Sequence, residues 1–165
     1  MENRYSSLSK LNQLLAASFE AERIYYNASE DVQEVELKRF LSHQSVNRNR
    51  FSHGISEFLV QCGIEPSTKW AEKGNLERDW VAEKKVLEKK RPLAYLRSCK
   101  IRDEKNLKLY AEVLEDKSLD PELARMLRRQ SINIRRSLME ADKFNTGEVP
   151  MEPIREPKVR KLRAI

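Results

Sequence analysis

The stretch ELKRFLSHQSVNRNR, residues 36–50, aligns without a gap on ELARMLRRQSINIRR, residues 122–136, with eight identities in fifteen positions. Both copies place apolar residues three and four apart, at Leu37, Phe40 and Leu41 and at Leu123, Met126 and Leu127, the spacing of one helix face rather than a strand. Both also keep Gln-Ser-aliphatic-Asn, at Gln44–Asn47 and Gln130–Asn133. A tyrosine precedes each run, Tyr25 or Tyr26 in the first case and Tyr110 in the second, with a small difference in turn length. Two related αα-hairpins are the simplest reading. One hairpin cannot cover its own apolar face, so the two are expected to pack together as a four-helix bundle.

Working outward, the first helix is expected from about Ser7 to Asp31, capped by Ser6 or Ser7, with Leu8, Leu11, Leu15, Ser18, Glu22, Tyr25 and Val32 inward. The second runs from about Glu34 to Cys62 and stops at Gly63, a residue that tolerates positive φ. The third starts near Pro92, where a missing N–H costs nothing, and ends near Glu115. The fourth begins at Pro121 and buries Leu123, Leu127, Gln130, Ile134, Ser137, Leu138 and Ala141. Residues 64–91 then form a long crossover, with a short amphipathic piece in which Trp80 and Val86 cover the bundle. The fold class is therefore all-α, a ferritin-like bundle of two repeated hairpins joined by a long crossover. Residues 1–144 make the domain; 145–165, with three of the six prolines, read as a basic, disordered tail.

Composition narrows the class. Only 4 of 165 residues are Gly, and no apolar run nears the roughly 20 residues that cross a bilayer. No basic segment followed by an apolar stretch opens the chain, so no secretion signal is expected. Cys62 and Cys99 are isolated and fall on core faces, so a reducing cytoplasm is expected rather than a disulfide framework. The net charge of +6 is spread among acids along the helices, which reads as solvated faces more than a polyanion site.

Polar residues nonetheless fall on inward faces: Glu22, Gln44, Arg48, Asp103, Asn106 and Gln130. Counting from each hairpin turn and applying the repeat symmetry puts Arg48 and Asp103 in one layer. A buried charge without a partner costs several kcal/mol, so an ion pair is expected there. Glu22, Gln44, Asn106 and Gln130 are expected to form a neighbouring hydrogen-bonded layer. Two carboxylates in a bundle centre also raise a di-metal site, iron or manganese, held by Glu22 and Asp103. The residue types oppose it: where di-iron bundles carry Glu-x-x-His, this chain has Gln44-x-x-Asn47 and Gln130-x-x-Asn133, and Arg48 already supplies a cation. His43, His53 and Glu20 point outward.

Leu11, Tyr25, Ala28, the ELK run at Glu36, Arg48, Phe51, the Gly63–Pro66 turn, Trp80, Cys99, Asp103, Tyr110 and the ELARMLRRQ helix together resemble an uncharacterised family of bacterial ferritin-like four-helix proteins. The resemblance covers about residues 7–142 and implies that fold, a bacterial cytoplasmic setting and an association with stress responses, without an established reaction. In that family a Glu commonly stands at the place of Asp103 and a His at the place of Leu138, and both departures weigh against a metal. The expectation is a non-enzymatic interaction or scaffold protein without cofactor, with a protein partner or self-association, exposed Val46 and Ile132 being equivalent outward positions. One alternative is a di-metal oxidoreductase. Another is docking on acidic protein, lipid or, less expected, nucleic acid through the tail residues Lys158, Arg160, Lys161 and Arg163.

Overall fold

Four helices and no strand make up the described residues of the computed structural model, which are 2–66 and 92–153, with side chains from Leu8 onward. Helix α1 spans Glu2–Asp31, α2 Val35–Gln61, α3 Leu93–Leu114 and α4 Pro121–Thr146. Helix α1 begins earlier than the serines at 6 and 7 imply, because nothing in ENRYS is a Gly or Pro that would stop it. Gly63 and Gly147 both adopt positive φ just past α2 and α4, where left-handed backbone ends a helix cheaply. At the start of α4 the Asp120 carboxylate accepts from the N–H groups of Glu122 (2.8 Å) and Leu123 (3.4 Å), with Pro121 following it. Asp120→Ala is expected to cost about 1 kcal/mol, read as a lower urea midpoint.

Helix α1 packs against α2 and α3, and α4 against α3 and α2. The core shows the direction of each helix. One apolar cluster joins the end of α1 (Ile24, Ala28), the start of α2 (Leu37, Leu41), the start of α3 (Leu96, Cys99) and the end of α4 (Ala141, Phe144). A second joins the start of α1 (Leu11, Leu15), the end of α2 (Ile55, Leu59), the end of α3 (Val113) and the start of α4 (Leu123, Leu127). Helices α2 and α3 therefore run in the same direction: α2 finishes at one end of the bundle and α3 begins at the other. The crossover piece expected to carry Trp80 and Val86 lies outside the described residues.

The two aligned runs bury matching positions: Leu37 and Leu123, Leu41 and Leu127, Gln44 and Gln130, Ser45 and Ser131, Arg48 and Ile134. Where α2 and α4 approach, Gly54 leaves room for Met126, whose sulfur would lie 3.1 Å from a Cβ built there.

Helix α4 continues to Thr146, and the chain after Gly147 folds back over the α1–α2 turn. Val149 and Met151 pack on the first cluster, and the Val35 N–H donates to the Glu152 carbonyl at 3.0 Å. That bond has a cause: Glu34, the residue before α2, makes no side-chain cap, and the open N–H of the first turn finds a backbone carbonyl instead. A chain ending at Thr146 loses this bond and the cover of Val149 and Met151, and is expected to unfold about 1–3 kcal/mol more easily, a difference visible as a lower melting temperature.

Candidate functional site

Between the two apolar clusters lies a belt of polar side chains, all buried: Ser18, Gln44, Arg48, Asp103, Asn106, Gln130 and Ser137. Arg48 enters from the middle of α2 and Asp103 from the middle of α3, on the helix faces that also carry their leucines. The guanidinium grips the carboxylate in a fork, Nε to Oδ1 at 3.2 Å and Nη2 to Oδ2 at 2.8 Å. The geometry is bidentate, which Arg provides and Lys does not. Nη2 also donates to Ser137 Oγ at 3.0 Å and Nη1 to Gln44 Oε1 at 3.3 Å. The rings of Tyr25 and Phe51 lie 5.3 Å and 5.5 Å from the guanidinium carbon, within cation–π range. The Tyr25 hydroxyl donates to Asp103 Oδ2 at 2.5 Å, so both carboxylate oxygens are engaged.

The expected second layer is not one layer. Gln44 bonds Arg48, while Gln130 accepts from the Tyr110 hydroxyl at 2.7 Å and donates to the Phe51 carbonyl at 3.4 Å. Asn106 donates to the Ala17 carbonyl at 3.3 Å. Glu22 lies off to the side, half-buried between α1 and α2: its Oε1 accepts from Asn49 at 3.0 Å and its Oε2 is buried without a hydrogen-bond partner among the described residues. Tyr25 and Ser137 take the places around Asp103 and Arg48. Both sit on inward stripes in the sequence, but a hydroxyl on an apolar face gives no sign of which partner it meets.

Burial sets the electrostatics. It pushes the Tyr25 hydroxyl well above its ordinary value, and the adjacent Asp103 charge pushes it further. Burial also raises Tyr110, against the opposing effects of a hydrogen bond with Ser18 and the charge of Arg48. For Arg48, burial works to lower the value and Asp103 outweighs it, so the group stays a cation. Both tyrosines bind their protons more tightly folded than unfolded. They therefore contribute stability that is complete below pH 10, the ordinary tyrosine value, and is lost as pH climbs above it. In an absorbance titration Tyr25 and Tyr110 should ionise only together with cooperative unfolding.

Inward carboxylates in the centre of a four-helix bundle raise a metal, and the donor set does not fit one. A dinuclear iron or manganese centre needs several free carboxylates and imidazoles. Asp103 is committed to Arg48 and Tyr25, and Glu22 accepts from Asn49. His43 and His53 are exposed on the outside of α2. Among the described residues no group of three or more His, Cys, Asp or Glu side chains is placed to hold an ion. Cys99 is buried, but Cys62 is exposed, contrary to its helical-face assignment, because α2 ends one residue before it. Glu20 pairs with Arg102 across a groove of about 340 Å³ between α1 and α3, rather than standing free. Lys158, Arg160, Lys161 and Arg163 lie outside the described residues.

A family model described as a domain of unknown function, DUF2383, matches residues 6–116, most of the chain. The chain belongs to that family. The DUF2383 region contains Tyr25, Gln44, Arg48 and Asp103, so the ion pair forms entirely within it, while Gln130 and Ser137 on α4 lie beyond the match. No curated protein matches the chain. No helix among the described residues is long and apolar enough to cross a membrane.

Proposed function

We propose that this DUF2383 protein is a non-enzymatic, ferritin-like bundle that acts in the cytoplasm as a stress-associated interaction or scaffold protein. The observation that carries the reading is the Arg48 guanidinium in the bundle centre, bonded to both oxygens of the central carboxylate. A cation fixed by the chain itself does there what a metal does in di-metal bundles: it neutralises the inward carboxylate and ties two helices together. The two charged groups at the centre are buried, Arg48 at 1% and Asp103 at 0% exposure, and both are bonded to neighbouring side chains.

The ferritin-like assignment draws support from the topology, two hairpins with α2 and α3 running the same way, a form that needs one long crossover. The repeat draws support from the partners of the two tyrosines. With the one-residue difference in turn length, Tyr25 corresponds to Tyr110 and Asp103 to Ser18. Tyr25 bonds Asp103, and the Tyr110 hydroxyl lies beside Ser18 while donating to Gln130. On this reading Arg48 and Asp103, one from each hairpin, stand in the layer that Ile134 and Ser18 occupy on the symmetry-related side. The cytoplasmic and stress-associated parts rest on the family resemblance.

Elemental analysis of protein expressed with iron, manganese and zinc supplied tests this reading. Less than a tenth of an equivalent of each is expected per chain. About two equivalents of iron or manganese would replace the scaffold reading with that of a di-metal oxidoreductase.

A further inference from the structure

The outer face of α4 segregates charge in a way its sequence order hides. At 100° per residue, Arg125, Arg128, Arg129, Ile132, Arg135, Arg136, Met139 and Lys143 share an arc of about 120° on the side away from the buried face. All eight are exposed. The acids of the helix flank this strip, Glu122 and Glu140 about 20° beyond one edge and Asp142 about 20° beyond the other, and Asp142 pairs with Lys100 of α3. None of the five arginines forms an ion pair with a carboxylate among the described residues. The chain has 32 Lys and Arg; without the six on this strip, 26 remain, equal to its 26 Asp and Glu. Its whole positive excess is thus matched by one helix face.

We propose that this face of α4 binds the phosphodiester backbone of a nucleic-acid duplex, without reading its sequence. From Arg125 to Lys143 the strip is about 27 Å long at 1.5 Å per residue, the length of about eight base pairs. Guanidinium groups recur along it with no carboxylate between them, which suits a line of evenly spaced phosphates, and arginine can bond each phosphate bidentately. A membrane is the poorer match, because the strip offers two apolar residues, Ile132 and Met139, and no aromatic to bury among lipids. An acidic protein is also poorer, since a protein interface needs an apolar centre larger than these two side chains. The packed bundle holds the helix on the outside of the duplex, so contact with base edges is not expected. The inference goes beyond the scaffold reading, and metal content has no bearing on it.

The test is fluorescence anisotropy of a labelled 20-base-pair duplex DNA titrated with the full-length protein at 50 to 200 mM NaCl. Micromolar binding is expected at the low end, weakening with salt by a slope of about −4 to −5 in log K against log salt, for about five phosphates neutralised. Arg128→Gln/Arg135→Gln/Arg136→Gln should weaken binding at least tenfold at 100 mM and reduce the slope by about 2 to 3. Arg97→Gln, an exposed arginine on α3, should change neither beyond about twofold. Circular dichroism melting, unchanged because all three positions are exposed, separates lost binding from lost folding. The proposal is overturned if the parent does not bind at 50 mM or if the triple variant binds as the parent does. It is also overturned if only neutralising Lys158, Arg160, Lys161 and Arg163 abolishes binding, or if phosphatidylserine vesicles or polyglutamate bind more tightly than the duplex.

Discussion

Arg48→Met should lower the free energy of unfolding by about 3–5 kcal/mol, the cost of leaving one member of a buried ion pair behind. Methionine fills much of the same volume and keeps the contact with Phe51, so packing loss is a small part of the effect. The large part is Asp103, which is 0% exposed and keeps only the Tyr25 hydroxyl as a partner once the guanidinium is gone. A domain of this size is stable by about 5–15 kcal/mol in total, so the variant should lose a large share of its stability. Urea denaturation at pH 7 reads the effect as a large drop in midpoint with little change in slope. A loss under about 1 kcal/mol would mean that water reaches the carboxylate and that the layer is not sealed.

Removing the second charge should reverse much of that loss. Arg48→Met/Asp103→Leu takes both ions out together, and buried pairs replaced by apolar residues of similar size give proteins about as stable as the parent, or more stable by about 1–4 kcal/mol. Two groups limit the gain here. The Tyr25 hydroxyl loses its acceptor and Gln44 loses its donor, each a desolvated polar group worth about 1–3 kcal/mol when unpaired. Ser137 is spared, because its hydroxyl already donates to the Ile134 carbonyl at 2.7 Å. The double variant is therefore expected to recover at least about 2 kcal/mol over Arg48→Met, and addition of Tyr25→Phe should recover more. A double variant no more stable than the single would show that lost packing, not an abandoned charge, destabilises Arg48→Met.

The helices were legible because each buries one face, and Leu37, Leu41, Ile55 and their counterparts on α4 mark that face at intervals of three and four. The layer shared by Arg48 and Asp103 was legible for a different reason: the two aligned runs suggest a symmetry, and counting from the two turns supplies the level. Glu22 marks the limit of such counting. Residues spaced 100° apart cannot separate a direction toward the bundle axis from one toward the adjacent helix, and Glu22 takes the second, meeting Asn49. Cys62 fails similarly, since a residue past the last turn no longer follows the wheel. The chain folding back after Gly147 left little signal, because its bond to Val35 is made by backbone atoms and only Val149 and Met151 add apolar cover. The arginine face of α4 was present in the sequence, but reading charge along the chain mixed it with acids that the helix turns elsewhere.

The central claim is that the chain supplies its own cation, so the folded state needs none from outside. Unfolding of the parent protein in urea, with excess chelator and then with excess Fe²⁺ or Mn²⁺ under anaerobic conditions, tests it most directly. An ion that binds the folded state alone stabilises it by RT ln(1 + [L]/Kd), about 2.7 kcal/mol at a hundred times Kd. The account predicts the same midpoint in all three conditions. A midpoint that rises with metal concentration, and falls back when chelator is restored, would contradict it.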